Sequence, residues 1–220
     1  MSTVSLARTA FIFPGQGSQA VGMGKDLYEN SLAARQVYQE IDETLCRKLS
    51  SVMFDGPADE LTRTENAQPA ITAVSLAAWK AMGEAAGQPQ VPGYVAGHSV
   101  GEYSALAVAG VLSIADTTRL VVERGRLMQL ACDERPGGMA ALIGIDETTA
   151  EEVCRETGAY ISNVNSGGQI IISGSHLDLA RAIDLAAARG ARKAIPLAVG
   201  GAFHSGLMEP AQHGLNEMMD

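Results

Sequence analysis

Apolar and polar positions alternate between two rhythms along the chain. Ala10–Phe13 is a short apolar run that ends at Pro14 and Gly15, the pattern of a buried strand opening into a turn. Residues 26–49 carry helical spacing, broken near Asn30 and Ser31. The stretch "FDGPADELTRTENAQP" is polar and turn-rich, with room for one short helical turn in "PADELT". From Pro69 to Ala86 the apolar residues Ile71, Val74, Leu76, Ala77, Trp79 and Met82 predict a helix, with Pro69 in its first turn and Gly87 as its stop. A loop and a short strand then lead into Gly97. Residues 101–109 are small and apolar, as in a helix packed closely on a sheet. Gly110 ends that helix, and another runs from about Ser113 to Cys132.

"DERPGG" at 133–138 marks the clearest change of rhythm. A strand follows at Met139–Ile143, then a helix at about Glu147 to Thr157, strands at Ala159–Val164 and Gln169–Ser173, a helix at His176–Arg189 and a strand at Arg192–Leu197. That order is a split βαβ pattern. The expected organisation is an α/β chain. Residues 1–134 form the first part of a large subdomain, 135–198 a small ferredoxin-like one, and 199–220 return to the large one.

Composition narrows the function. The 220 residues carry 16 basic and 25 acidic side chains, a net charge of -9, which gives nucleic acid no basic stripe to bind. No apolar run approaches a membrane span, and no signal sequence is visible at the N-terminus. Cys46, Cys132 and Cys154 form neither a metal-like pair nor a disulfide framework. The expectation is a soluble cytoplasmic protein.

Chemistry is concentrated in "GHSVG" at 97–101, which fits G-x-S-x-G between a strand and a helix. On such a turn Ser99 presents its hydroxyl as a nucleophile, and the following helix aims N–H groups at developing negative charge. A serine needs a base. Of four histidines, His98 adjoins the serine and reads as a packing residue, His176 begins a helix, and His213 lies on a late polar helix. His204, in the glycine-rich "GGAFHSGLM", is the candidate base, on a loop expected to return beside the elbow. No Asp or Glu is marked as a third triad member. An oxyanion hole needs two donors. Val100 N–H supplies one, and "PGQG" at 14–17 suits the other, with Gln16 giving its backbone N–H.

Together "FIFPGQGSQAVGMG", "TENAQPAI", "GHSVGEYSALAVAGVLS", Arg124–Gly125, "GGMAALIG", "NVNSGGQIIISG" and "GAFHSGLM" resemble the malonyl-CoA:acyl carrier protein transacylase family, including acyltransferase domains of polyketide synthases. The resemblance implies a hydrolase-like large subdomain with a parallel sheet and nucleophile elbow, beside a ferredoxin-like small one. It implies that Ser99 is acylated by malonyl-CoA and deacylated by the phosphopantetheine thiol of an acyl carrier protein. His204 is then the base, and Gln16 and Val100 are the oxyanion-hole positions. Arg124 grips the malonyl carboxylate, a choice that pattern alone does not make over Arg119 or Arg126. Phe203 before the histidine and Val100 after the serine resemble the malonyl-selective pattern. No cofactor or metal is implied beyond malonyl-CoA as substrate and the carrier's own phosphopantetheine. A local basic patch would receive the carrier, with Arg181, Arg192 and Lys193 as weak candidates.

Members of that family run on well beyond the histidine, whereas 16 residues (220 − 204) follow His204 here, so a shortened chain is expected. Alternatives therefore stand beside malonyl transfer for fatty acid synthesis: a component of a polyketide or malonate decarboxylase system, a serine hydrolase, or an inactive fragment.

Overall fold

A computed structural model describes residues 6–219, which divide into two units, one through Gly125 and one from Arg126. In the first unit, strand β1 (Ala10–Phe13) is followed by five helices: α1 (Lys25–Asn30), α2 (Leu32–Leu45), α3 (Leu49–Asp55), α4 (Ala58–Thr62) and α5 (Thr64–Ala86). Then come strand β2 (Tyr94–Gly97), α6 (Gly101–Val108) and the start of α7 (Ile114–Glu134). Strands β1 and β2 pair in parallel, Ala10 opposite Tyr94 and Phe13 opposite Gly97. Parallel partners require a long crossover, which α1–α5 supply.

The core of this unit follows helical periodicity. Ala34, Val37, Tyr38 and Ile41 are buried along one face of α2 and pack with Leu76 and Ala77 of α5. Ser31 caps α2 by accepting the Ala34 N–H at 3.0 Å. Buried Asp42 ties α2 to α3 by accepting from Ser50 N–H (3.0 Å) and Ser50 Oγ (2.6 Å).

One boundary departs from the sequence reading. Helix α5 begins at Thr64, so Pro69 lies inside it and not in its first turn. A proline there forfeits one helical hydrogen bond. Burial offsets this, because Thr64 and every residue from Asn66 to Ala73 is buried. Asn66 Nδ2 also donates to the Glu60 carbonyl at 2.9 Å, closing the turn from α4.

The second unit contains β3 (Gly137–Ile143), α8 (Glu147–Thr157), β4 (Tyr160–Ser166), β5 (Gln169–Ser175), α9 (His176–Ala188), β6 (Lys193–Pro196) and α10 (Glu209–Met219). Its sheet is antiparallel in the order β4-β5-β3-β6. Leu142, Ile170 and Ile172 on one sheet face meet Val153 of α8 and Ala182 and Ala186 of α9. Met139, Ala141 and Ile171, from alternate positions of the same strands, join Met128, Cys132 and Phe203 in a separate cluster. The α/β class, the parallel sheet and the split βαβ order expected from the sequence are therefore present.

Candidate active site

The elbow is built by close backbone approach. Strand β2 ends at Gly97, and the chain reverses through His98, Ser99 and Val100 into α6. His98 N–H donates to the Phe13 carbonyl at 3.0 Å, and Gly101 N–H donates to the His98 carbonyl at 3.0 Å. A Cβ on Gly97 would strike Gly101, and one on Gly101 would strike the Phe13 carbonyl. Ser99 itself has φ 53, in the left-handed region. Non-glycine residues with positive φ among the described residues are Cys46, which ends α2, Ser99 and His204. Left-handed non-glycine backbone is costly and collects at functional positions.

The "PGQG" turn lies directly against the elbow. A Cβ on Gly15 would sit 2.6 Å from His98 Nδ1 and 2.7 Å from the His98 carbonyl oxygen. His98 is thus an exposed residue whose ring rests over Gly15. Gln16 follows at once, and its Nε2 reaches Thr64 Oγ1 at 3.5 Å, a long contact. Ser18 Oγ donates to the Gly15 carbonyl at 2.8 Å and stiffens the turn.

Arg124, on α7, reaches the serine. Its Nη2 donates to Ser99 Oγ at 3.0 Å and its Nη1 to Gln68 Oε1 at 2.6 Å. The guanidinium also lies 5.9 Å from the centre of the Tyr103 ring. Burial lowers the Arg124 pKa from its ordinary value, partly opposed by Tyr103 and Glu102, but an arginine stays cationic across the working pH range. Burial likewise raises the Tyr103 phenol, while Arg124 pulls it back.

Helix α5 supplies the wall of this cluster. Thr64 and Gln68 are four residues apart on one helical face, and Ile71 follows one turn on, packed with Val100 and Val121. Gln68 and Thr64 were not singled out from the sequence. The available signal was a run of polar residues, Thr64, Asn66 and Gln68, at the head of an otherwise apolar helix.

His204 and Phe203 belong to the second unit. His204 is exposed with φ 57. Phe203 is buried against Met128, Cys132, Met139 and Ala141. Its carbonyl accepts from Ser162 Oγ of β4 at 3.1 Å, and Ser162 Oγ lies 2.6 Å from Ser173 Oγ of β5. The histidine loop is therefore anchored to its sheet just before His204. Val100, the other selectivity candidate, is fully buried in the first unit. Among the described residues no cluster of three or more His, Cys, Asp and Glu could hold a metal ion, and no helix is long and apolar enough to cross a membrane.

Comparison with known proteins places this geometry among acyl-transferring proteins. The acyl transferase domain family matches residues 10–220. A malonyl CoA-acyl carrier protein transacylase of Bacillus subtilis is 46% identical, with 98% of this chain and 68% of the relative covered. The acyl-carrier-protein S-malonyltransferase of Bartonella henselae superimposes with a TM-score of 0.86 at 48% identity, covering 93% of this chain and 67% of that one. A malonyl transacylase solved in complex with its type II polyketide-synthase acyl carrier protein superimposes with a TM-score of 0.91 at 39% identity, covering 96% and 69%. The chain thus spans about two thirds of the length of these relatives.

Proposed function

Because the chain belongs to the acyl transferase domain family, we propose that it transfers a malonyl group from malonyl-CoA to the phosphopantetheine thiol of an acyl carrier protein, for fatty acid synthesis in the cytoplasm. The observation that carries the reading is the 3.0 Å hydrogen bond from Arg124 Nη2 to Ser99 Oγ. It sets a carboxylate-binding cation directly beside a nucleophile on an elbow. An acyl group esterified to Ser99 and ending in a carboxylate one methylene away falls within reach of that cation, whereas a neutral acyl group gains nothing from it.

The transfer has two halves. His204 takes the Ser99 hydroxyl proton as Oγ attacks the thioester carbonyl. Negative charge moves to the carbonyl oxygen, where the N–H groups of Val100 and Gln16 receive it. The C–S bond then breaks, CoA leaves with the proton returned by His204, and a malonyl ester remains on Ser99. In the second half His204 takes the proton of the carrier thiol. The sulfur attacks the ester, the C–O bond breaks, and Ser99 regains its proton. A lost oxyanion donor in such a site costs about 10²–10³ in rate. No bound cofactor enters either half. We assign the preference for malonyl over bulkier donors to Phe203 and Val100, both of which are buried side chains.

Intact mass tests this. Wild type and Ser99→Ala are mixed with malonyl-CoA for seconds, and holo-carrier protein is then added. The expected result is a malonyl adduct on the wild type alone, discharged onto the carrier. A folded wild type without an adduct, or an equal adduct on Ser99→Ala, would overturn the proposal. Discharge to water with none to the carrier would replace it with a serine hydrolase.

A further inference from the structure

Arg124 is held at two points, and only one of them is the nucleophile. The other, Gln68 Oε1, takes Nη1 at 2.6 Å, a short charge-assisted bond, and Gln68 is fully buried. We infer that Gln68 is a positioning residue for substrate selection: it fixes the plane of the Arg124 guanidinium so that Nη2 faces the acyl group carried by Ser99. The inference rests on the malonyl-transfer reading above.

Several features support it. A guanidinium recognises a carboxylate through planar, directional bonds, so a rotation of the plane misdirects both donors. Gln68 can set that plane while remaining neutral. A carboxylate at the same place would also orient Arg124, but it would cancel the charge that the substrate must meet. The backbone around the pair is equally constrained. Gly125 follows Arg124, and a Cβ there would lie 3.0 Å from the Thr64 carbonyl oxygen and 3.2 Å from Glu65 Cα. Its bare backbone lets α7 come close to the first turn of α5, one turn before Gln68. Pro69 stiffens the next position by fixing its own φ. The acyl class this arrangement selects is short and ends in a carboxylate. Neutral acyl groups, which make no contact with Nη2, gain nothing from the alignment.

The test compares acylation of Ser99 by malonyl-CoA and by acetyl-CoA, each followed by intact mass on the 220-residue chain. Gln68→Met removes the acceptor but keeps the side-chain length. The malonyl-to-acetyl rate ratio is expected to fall about tenfold, the effect of one charge-assisted hydrogen bond. In an Arg124→Ala background the same change is expected to leave the ratio where Arg124→Ala alone puts it. A ratio unchanged by Gln68→Met, or one lowered equally with and without Arg124, would overturn the inference, the latter by showing a purely structural role. If Gln68→Met does not fold, Gln68→Glu decides. It retains an acceptor and is expected to lower the ratio by neutralising Arg124, so a wild-type ratio would refute the idea. A wild type that takes no malonyl group overturns the malonyl-transfer reading and this inference with it. A wild type that takes malonyl while the Gln68 variants keep its ratio overturns this inference alone.

Discussion

Adding one methyl group to Gly15 tests whether the "PGQG" turn serves the elbow. The alanine Cβ would lie 2.7 Å from the His98 carbonyl oxygen and 2.6 Å from its Nδ1. The ring can rotate away at little cost, but the carbonyl cannot. It accepts from Gly101 N–H at 3.0 Å, and the N–H of the same residue is held by Phe13 at 3.0 Å. An ordinary carbon–oxygen contact needs about 3.3 Å, so the turn must retreat by roughly 0.6 Å. Overpacking of this kind costs about 1–3 kcal/mol, or roughly 2–12 °C in melting temperature at about 2–4 °C per kcal/mol. The same retreat would carry Gln16 N–H out of line with the oxyanion it is proposed to hold. Full loss of a donor costs about 10²–10³, so a partial loss is expected to slow malonylation of Ser99 by about 10- to 100-fold. Rapid-quench intact mass and a thermal melt read the two effects separately. Gly167→Ala is the control, because that glycine has open space around its Cβ position. A Gly15→Ala chain that melts lower but acylates at the wild-type rate would remove Gln16 from the oxyanion hole. One that matches the wild type in both would refute the packing argument itself.

Two further outcomes concern the rest of the chain. Burial raises the thiols of Cys132 and Cys154 to about 11, whereas Cys46 is exposed. A disulfide reagent at pH 8 is therefore expected to modify Cys46 quickly and the other two only in denaturant. Rapid native reaction of a second thiol would contradict the assigned burial. Asp146 caps α8, and hydrogen bonds from Thr149 N–H (3.0 Å) and Thr149 Oγ1 (2.7 Å) hold its carboxyl below the usual range. Its contribution to stability is present above the unfolded carboxyl pKa of about 3.9 and is lost as pH falls through the depressed folded value. The gap in urea midpoint between wild type and Asp146→Asn is expected to narrow from pH 7 to pH 3, and a constant gap would refute this.

Elements with local signals were legible before the structure. Helix α8, expected at about Glu147 to Thr157, is observed at Glu147–Thr157, and the structure shows Asp146 capping its start and left-handed Gly158 ending it. Ser99 was legible for the same reason, since strand, glycine, serine, glycine and helix are contiguous. The start of α5 was not. Pro69 is a strong local signal for a first turn, but burial of Thr64, Asn66, Ala67 and Gln68 just before it outweighs it, and burial is not written locally. Gln68 was invisible for a related reason. Its partner Arg124 is 56 residues away, and nothing near either residue announces the other. Arg124 itself came from resemblance alone, because three arginines on the same predicted helix look alike until one of them is seen to touch the serine.

The left-handed backbone of Ser99 has an evolutionary consequence. With φ at 53, an L-residue here carries a penalty of roughly 1 kcal/mol that glycine would not feel. The proposed nucleophile thus occupies a position where the fold itself would favour another residue. Selection for catalysis and selection for thermodynamic robustness pull in opposite directions at this one codon. Released from its chemical duty, a lineage would gain sturdiness by letting the serine drift, and glycine at position 99 would be the mark of a descendant that had stopped acting as an enzyme.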